Sequence, residues 1–432
     1  VNFGDSDTIF SVASGGARAA VTLMRISGRR AGTVIDCLCR KRPAPRRASV
    51  RMLRNRKLQP LDKAVVLWLP GPASYTGEDC AELHLHGGAA VLNDVCDALV
   101  AEGLRPAEAG EFTRRAFMNG RLDLVEAEAV ADLVDSETSS QRIQALGQLE
   151  GSLSRLLEGW KEQLTTLLSQ QEALIDFPDE GLPHEVEEAL VEQLEQLRGA
   201  MAQHLDDDRR GERLRDGLVF AVAGAPNAGK STLINALAGR DVAIVSPIPG
   251  TTRDVLEARV VLGGVPVTLL DTAGLRDTDD PVEAEGIRRA RHRAACADLV
   301  LLVGNEAEPW PTPPEGVRSL TIGTKSDIAS PATGTLAVSA LTNEGMPDLV
   351  ARLAETAQSL TQSKGPAPLT RPRHRAALGD ATNCLAAALA APAPELRAED
   401  MRMALRALGR ITGHVGVEEI LDSIFGQFCI GK

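Results

Sequence analysis

The segment GAPNAGKS at 224–231 constrains this chain most. It matches GxxxxGK[ST] and lies between the apolar run LVFAVA (218–223) and the helix-like TLINALAG (232–239). A strand, a glycine-bearing loop and a helix start, in that order, turn successive backbone amides toward one point and make an anion site. Glycine lets the backbone approach a phosphate closely. In such a loop Lys230 reaches the β- and γ-phosphates and Ser231 ligates Mg²⁺, while Asn227, Ala228, Gly229 and Thr232 complete the cradle. The loop needs a parallel sheet behind it, and 218–358 supplies one: LVFAVAG, VPVTLLD, ADLVLLV and SLTIGT alternate with helical segments.

Companion loops follow in the order a guanine-nucleotide site requires. DTAG (271–274) ends a second apolar strand, so Asp271 can meet Mg²⁺ through water and the Gly274 amide can sense the γ-phosphate, with Thr272 and Ala273 between them. GTTRD (250–254) offers a threonine hydroxyl to Mg²⁺. In TKSD (324–327), Asp327 can accept the two N–H donors of guanine, beside Lys325 and Ser326. Thr324 stands where asparagine is usual in such a loop, so selectivity is expected to survive through Asp327 and affinity to change. Ser339, Ala340 and Leu341, after the strand LAV, close the set. Five elements in sequence predict a GTPase.

A chain of 432 residues at roughly 150 per domain holds about three domains. No apolar run approaches the roughly 20 residues of a bilayer span, and the first residues lack a basic stretch before an apolar core; a cytoplasmic, non-membrane protein is expected. Seven cysteines without a CxxC pair predict neither a disulfide framework nor a zinc ribbon, and most are expected reduced and buried. Net charge is −12, yet 121–216 alone carries 23 acidic and 9 basic residues, or −14, so the remainder sums to +2. RKRPAPRRASVRMLRNRK (40–57) has nine Lys or Arg and no acid; it reads either as a solvated loop or as a contact for RNA or an acidic partner.

Periodicity divides the chain into 1–120, a small α/β domain with strands at 21–27 and 63–70 and a helix near 89–101; 121–216, a helical segment; 217–358, the nucleotide module; and 359–432, a linker (363–372) followed by more helix. Leu146, Leu149, Leu153, Leu156, Trp160, Leu164 and Leu167 share one helical face. FPDEGLP (177–183) breaks the run, a second helix spans 184–210, and Gly211 ends it. Met401, Leu405, Leu408 and Ile411 form another face, so the simplest architecture is multidomain α/β plus all-α, with a P-loop module of Ras-like parallel sheet inserted into a helical domain.

DTI (7–9), RISG (25–28), SYTGEDCAELHLHGG (74–88), GEFTRRAFMNGRLDLVEAEAVADL (110–133), LIDFPDE (174–180), GTTRDV, DTAGLR and FCIGK (428–432) together resemble the bacterial tRNA-modification GTPases of the MnmE (TrmE) family across the whole chain. The resemblance implies an N-terminal folate-binding and dimerising domain and, with an FAD-dependent partner, MnmG (GidA), use of a tetrahydrofolate one-carbon unit to build an aminomethyl-type group on the wobble uridine of certain tRNAs. It places folate contacts at Arg25, Glu82, Arg121 and Lys432. It implies potassium-dependent hydrolysis, which suits a chain with Leu275 and no glutamine after DTAG. Asn227, the carbonyls of Ser246 and Ile248, and Thr251 would hold K⁺ within SPIPGTT, where Pro247, Pro249 and Gly250 complete the nucleotide loop. Thr252 falls at the family's magnesium position, Glu283 matches the acidic residue that in the family helps place the attacking water, and Cys429 resembles a functionally required cysteine.

Two residue readings stay open. Cys429 suits core packing as well as nucleophilic chemistry, and His84 and His86, two apart on a strand, lack an evident third metal ligand. An Era-like regulatory GTPase would share the phosphate and guanine loops but has no need of SYTGEDCAELHLHGG or FCIGK.

Overall fold

The computed structural model describes residues 7–14, 19–176, 184–239, 257–271, 297–305, 310–312, 316–328, 335–362, 365, 367–415, 418–426, 428 and 431. The chain forms two compact units, Val1–Ala131 with Gln148–Lys161 and Leu405–Lys432, and Asp132–Gly147 with Glu162–Ala404. The breaker FPDEGLP (177–183) lies outside the described residues.

In the first unit, β1 (Ile9–Val12), β2 (Val21–Ser27), β3 (Ser49–Arg54), β4 (Pro60–Leu69), β5 (Cys80–His86) and β6 (Arg105–Pro106) form one sheet in the order β3-β4-β5-β2-β1-β6. Alternation in β2, β4 and β5 sends Met24, Ile26, Val66, Trp68, Leu83 and Leu85 to one face, where α1 (Ala31–Cys39) and α2 (Ala89–Ala101) cover them. The basic segment 40–57 is therefore not all loop: it contains the edge strand β3, whose Arg and Met positions hide the alternation. After α3 (Glu111–Met118) and α4 (Leu124–Asp135), a second apolar cluster joins Leu124 and Ala127 to Leu421, Phe425 and Phe428 around α13 (Glu418–Phe425). Phe425 lies 6.3 Å from the ring of Phe117 and 5.4 Å from that of Phe428. Gly110, at φ 68, has no alternative here, since a Cβ would stand 2.4 Å from the Phe425 carbonyl.

The second unit holds β7 (Leu218–Gly224), β8 (Glu257–Leu262), β9 (Val265–Asp271), β10 (Leu299–Gly304), β11 (Ser319–Thr324) and β12 (Leu336–Val338), in the order β12-β11-β10-β7-β9-β8. Central β10, LVLLVG, is buried at every position, as a parallel strand covered on both faces must be. The sheet is parallel except at one edge, where β8, a strand not read from the sequence, runs antiparallel to β9 across the turn at Gly263 and Gly264. Helices α9 (Lys230–Ala238) and α10 (Met346–Thr361) contribute Leu233, Leu237, Leu349 and Leu353 to its core.

Long helices complete the chain: α5 (Ser139–Leu149), α6 (Ser152–Asp176), α7 (His184–Leu205), α8 (Arg210–Asp216), α11 (Pro372–Ala390) and α12 (Pro394–Thr412). The leucine face is split, because Gly151 at φ 78 ends α5, and the buried row of α6 is Leu153, Leu157, Trp160, Leu164 and Leu167, with Leu157 in the place expected of Leu156. Gly211 does not break a helix. It lies inside α8 because a Cβ there would meet the Leu369 carbonyl at 2.5 Å. That contact shows the linker to be packed, with Leu369 and Thr370 buried. Asp132 accepts from Arg215 at 2.9 Å and from Arg371 at 2.7 Å, so segments preceding and following the nucleotide sheet meet on one carboxylate.

Candidate functional site

Parallel registry brings the predicted loops to one edge of the second sheet. Gly224 ends β7 opposite Val303, Val222 pairs with Asp271, Gly304 pairs with Gly323, and Thr324 pairs with Val338. The phosphate loop, Asp271, TKSD and Ser339 thus all sit at carboxyl ends of strands, where open α/β sheets bind ligands. Asn227 at φ 67 and Gly229 at φ 91 take left-handed conformations in the loop, and α9 starts at Lys230, so amides and the helix dipole present positive charge together.

Lys230 is buried, and its Nζ donates to the carbonyls of Gly224 at 3.0 Å and Ala225 at 2.7 Å. The Ser231 hydroxyl donates to Asp271 Oδ2 at 2.7 Å. Two oxygens so close, one on a buried carboxylate, form a donor set suited to a hard cation such as Mg²⁺. Thr324, also buried, donates through Oγ1 to the Ala228 carbonyl at 2.6 Å. That bond fastens β11 to the phosphate loop, a role the motif comparison missed. Lys325 at φ 59 starts the turn, the Ser326 amide donates to Val338 O at 3.2 Å, and Asp327 is exposed. Ser339 Oγ accepts the Thr342 amide at 3.1 Å, Ala340 is half-buried and Leu341 is exposed; Thr232 is exposed beside Ser231. Ser246, Pro247, Ile248, Pro249, Gly250, Thr251, Thr252, Thr272, Ala273, Gly274, Glu283, Cys429 and Lys432 lie outside the described residues.

A second polar cluster occupies the first unit. Arg25 of β2 and Glu82 of β5 are register partners, and Arg25 Nη2 and Nε donate to Glu82 Oε1 at 2.9 and 3.2 Å. The guanidinium also lies over the rings of Tyr75, at 5.1 Å, and Phe112, at 5.8 Å. Tyr75, the one tyrosine of the chain, donates to or accepts from Thr113 Oγ1 at 2.8 Å, and burial raises its pKa. Tyr75 and Phe112 went unremarked in the sequence, although both stand inside the quoted motifs. Arg121 packs against Gly77 of the same loop, where a Cβ would be 3.2 Å from its Cγ. Gly431, at φ 98, abuts β1 so closely that a Cβ would fall 2.4 Å from Val12 O, and Val12 neighbours the Ser11–Arg25 pair.

Beside this cluster Glu111 is buried with Arg105 at 2.7 Å and Arg115 at 2.9 Å. Burial alone would raise its pKa, but the bonds from Arg105, the Glu108 amide and Arg115 outweigh burial and hold it below the ordinary carboxylate value. His86 Nδ1 bonds Asp62 Oδ1 at 2.7 Å, and among the described residues no group of three His, Cys, Asp or Glu is arranged for a metal. Of the described cysteines, Cys39 and Cys80 are buried, Cys96 and Cys384 half-buried, and Cys37 exposed, so the expectation of general burial holds only in part. Among the described residues no helix is long and apolar enough to cross a membrane.

Comparison with known proteins matches residues 8–121 to a family described as GTP-binding protein TrmE N-terminus and residues 124–429 to the MnmE helical domain. The chain is 56% identical over 438 residues to the tRNA modification GTPase MnmE of Granulibacter bethesdensis, covering 99% of each. It is 56% identical over 431 residues to that of Gluconacetobacter diazotrophicus and 52% over 452 residues to that of Rhodospirillum rubrum. Among solved structures, the G domain of the FeoB iron transporter of T. maritima overlaps 33% of the chain at 26% identity and a TM-score of 0.22.

Proposed function

The chain belongs to the family of tRNA modification GTPases MnmE, and from that premise we propose that it is a potassium-activated, cytoplasmic GTP hydrolase acting in wobble-uridine modification of tRNA. The observation that carries this reading is the meeting of the phosphate loop, Asp271 and Asp327's loop at one sheet edge, with Ser231 Oγ and Asp271 Oδ2 2.7 Å apart.

Each residue has a task in that reading. Backbone amides around Asn227 and Gly229 cradle the phosphates, Lys230 moves from its carbonyls to the β- and γ-phosphates, and Asp327 accepts from guanine. Ser231 and Thr252 hold Mg²⁺, with Asp271 behind Ser231; the ion, when bound, neutralises phosphate charge. Asn227 brings a side-chain oxygen to the loop, and with Ser246, Ile248 and Thr251 it would hold K⁺, which supplies the positive charge that an arginine finger gives elsewhere. Glu283 orients the attacking water.

In the first unit Arg25 and Glu82 fit a pterin-bearing cofactor. Both Arg25 bonds go to Glu82 Oε1, leaving Oε2 to accept from an amino-pyrimidine edge, and Tyr75 and Phe112 add aromatic surface. Arg121 and Lys432 supply cations for a glutamate tail, and the closeness of Gly431 to β1 supports delivery of Cys429 to this place. We assign 1–120 to folate binding and homodimerisation, 121–216 and 359–432 to the helical domain, 217–358 to GTP hydrolysis, and MnmG and tRNA as partners. Single-turnover GTP hydrolysis in K⁺ against Na⁺ tests the nucleotide half: a rate at least tenfold higher in K⁺, reduced by Asn227→Ala, is expected, and equal rates refute it.

A further inference from the structure

The basic segment 40–57 takes no part in the site above, and its placement gives it a task. We infer that the turns flanking edge strand β3 form a docking strip for the phosphate backbone of RNA, the tRNA substrate in the reading proposed above, on which this inference rests.

Of the nine cations in 40–57, two meet carboxylates among the described residues: Arg42 with Asp36, where it also lies 4.9 Å from the Trp68 ring, and Arg56 with Glu102 at 2.8 Å. Arg46, Arg51 and Arg54 donate to backbone carbonyls, which fixes their stems and leaves their charge uncancelled. Arg40, Lys41, Arg47 and Lys57 are exposed and have no side-chain partner among the described residues. Seven uncompensated positive charges on 18 consecutive positions, in a chain of net −12, are an electrostatic feature of one place.

An edge strand needs some charge to avoid pairing with another sheet, and Arg51 and Arg54 on β3 meet that need. Arg40, Lys41, Arg47 and Lys57 lie off the strand, in the turns before and after it, where edge protection does not require them. Arg40 moreover holds a left-handed conformation, φ 63, at the end of α1, a position glycine occupies at lower cost.

The geometry favours a nucleic acid over an acidic peptide or a lipid surface. Six residues of β3 extend about 20 Å, and at about 3.4 Å per phosphate along one strand that length faces about six phosphates. Seven of the nine cations are arginine, whose planar fork matches phosphate oxygens in pairs. Cations set along a strand and two turns form a linear track, whereas membrane-surface binding usually uses an amphipathic helix. Asp94 and Asp97 belong to α2, under the β3–β4 turn, and weaken the field at that end of the track, where Lys57 remains exposed.

The test measures binding of a tRNA transcript to the full chain by fluorescence anisotropy from 50 to 200 mM KCl. Replacing Arg40, Lys41, Arg47 and Lys57 together by Gln should weaken binding at least tenfold at 100 mM and make the slope of log K against log salt shallower by about 3, from four lost contacts at about 0.7 each. K⁺-stimulated GTP hydrolysis should remain at the wild-type rate, and Arg40→Lys with Arg47→Lys should retain the slope. Unchanged affinity and slope in the Gln variant, with wild type binding tRNA, overturn the strip alone. Equal loss in the charge-preserving variant overturns it too, as does tighter binding of polyglutamate or of phosphatidylserine vesicles than of tRNA. Wild-type chain that leaves tRNA unbound overturns the strip and the tRNA half of the proposed function together.

Discussion

Replacing Thr324 by Val removes one hydroxyl and almost no volume, which isolates the bond from Thr324 Oγ1 to the Ala228 carbonyl at 2.6 Å. Ala228 is fully buried, so its carbonyl has no water to turn to. Its oxygen and the Gly229 N–H belong to one planar peptide unit, so pinning the oxygen on β11 aims that N–H in the opposite direction, into the phosphate cradle. Leaving a buried acceptor unpaired costs about 1–3 kcal/mol, and if about 1–2 kcal/mol of this reaches the bound state, guanine-nucleotide affinity falls roughly 5- to 30-fold. Titration with a fluorescent GDP at fixed Mg²⁺ and K⁺ measures it directly. Thr324→Ser keeps the hydroxyl and should bind within about threefold of wild type. Thr324→Asn, which adds a polar arm, should tighten binding by ~0.5–1.5 kcal/mol, with ATP still a poor competitor. A folded Thr324→Val protein that binds GDP as wild type does would refute the link between β11 and the phosphate loop.

Glu283→Ala should leave GTP affinity nearly unchanged while slowing single-turnover hydrolysis, and a parallel fall in affinity would assign Glu283 a structural role. Because Glu111 is held below the ordinary carboxylate value, its contribution to stability is complete above about pH 4.3 and disappears as pH falls through the lowered folded value. Glu111→Gln should therefore flatten the acid limb of a circular-dichroism unfolding series, and an unaltered limb would contradict the assignment. Gly431→Val places a side chain against the Val12 carbonyl at a backbone angle that disfavours it, and should abolish wobble modification in a reconstituted reaction with K⁺-stimulated GTPase intact. Normal modification by that variant would show the tail to be dispensable for the chemistry.

The nucleotide loops were legible in the sequence because each lies directly after an apolar strand, and strand ends are where a parallel sheet gathers its loops. Edge strands β3 and β8 were not, since an edge faces solvent on one side and its pattern, as in SVRMLR, mixes charge with apolar residues. Gly211 and Gly151 show the limit of reading glycine as punctuation: one lies within a helix to let a carbonyl approach, the other ends a helix inside an unbroken leucine pattern. Arg25 and Glu82 were recognisable one at a time, but their pairing is a matter of strand register and the rings over Arg25 a matter of tertiary approach. Thr324 looked like a loss of asparagine; only the position of Ala228 O reveals what its hydroxyl does.

Mass analysis of wobble nucleosides tests the central claim most directly. In cells lacking this chain, certain tRNAs should carry wobble uridine without its aminomethyl-type group, and expression of the intact chain should restore it. Expression of Lys230→Ala, folded but deprived of its phosphate contact, should leave the uridine unmodified. Full modification in the deleted cells, or full restoration by Lys230→Ala, would contradict the account of a GTP-driven tRNA-modifying enzyme.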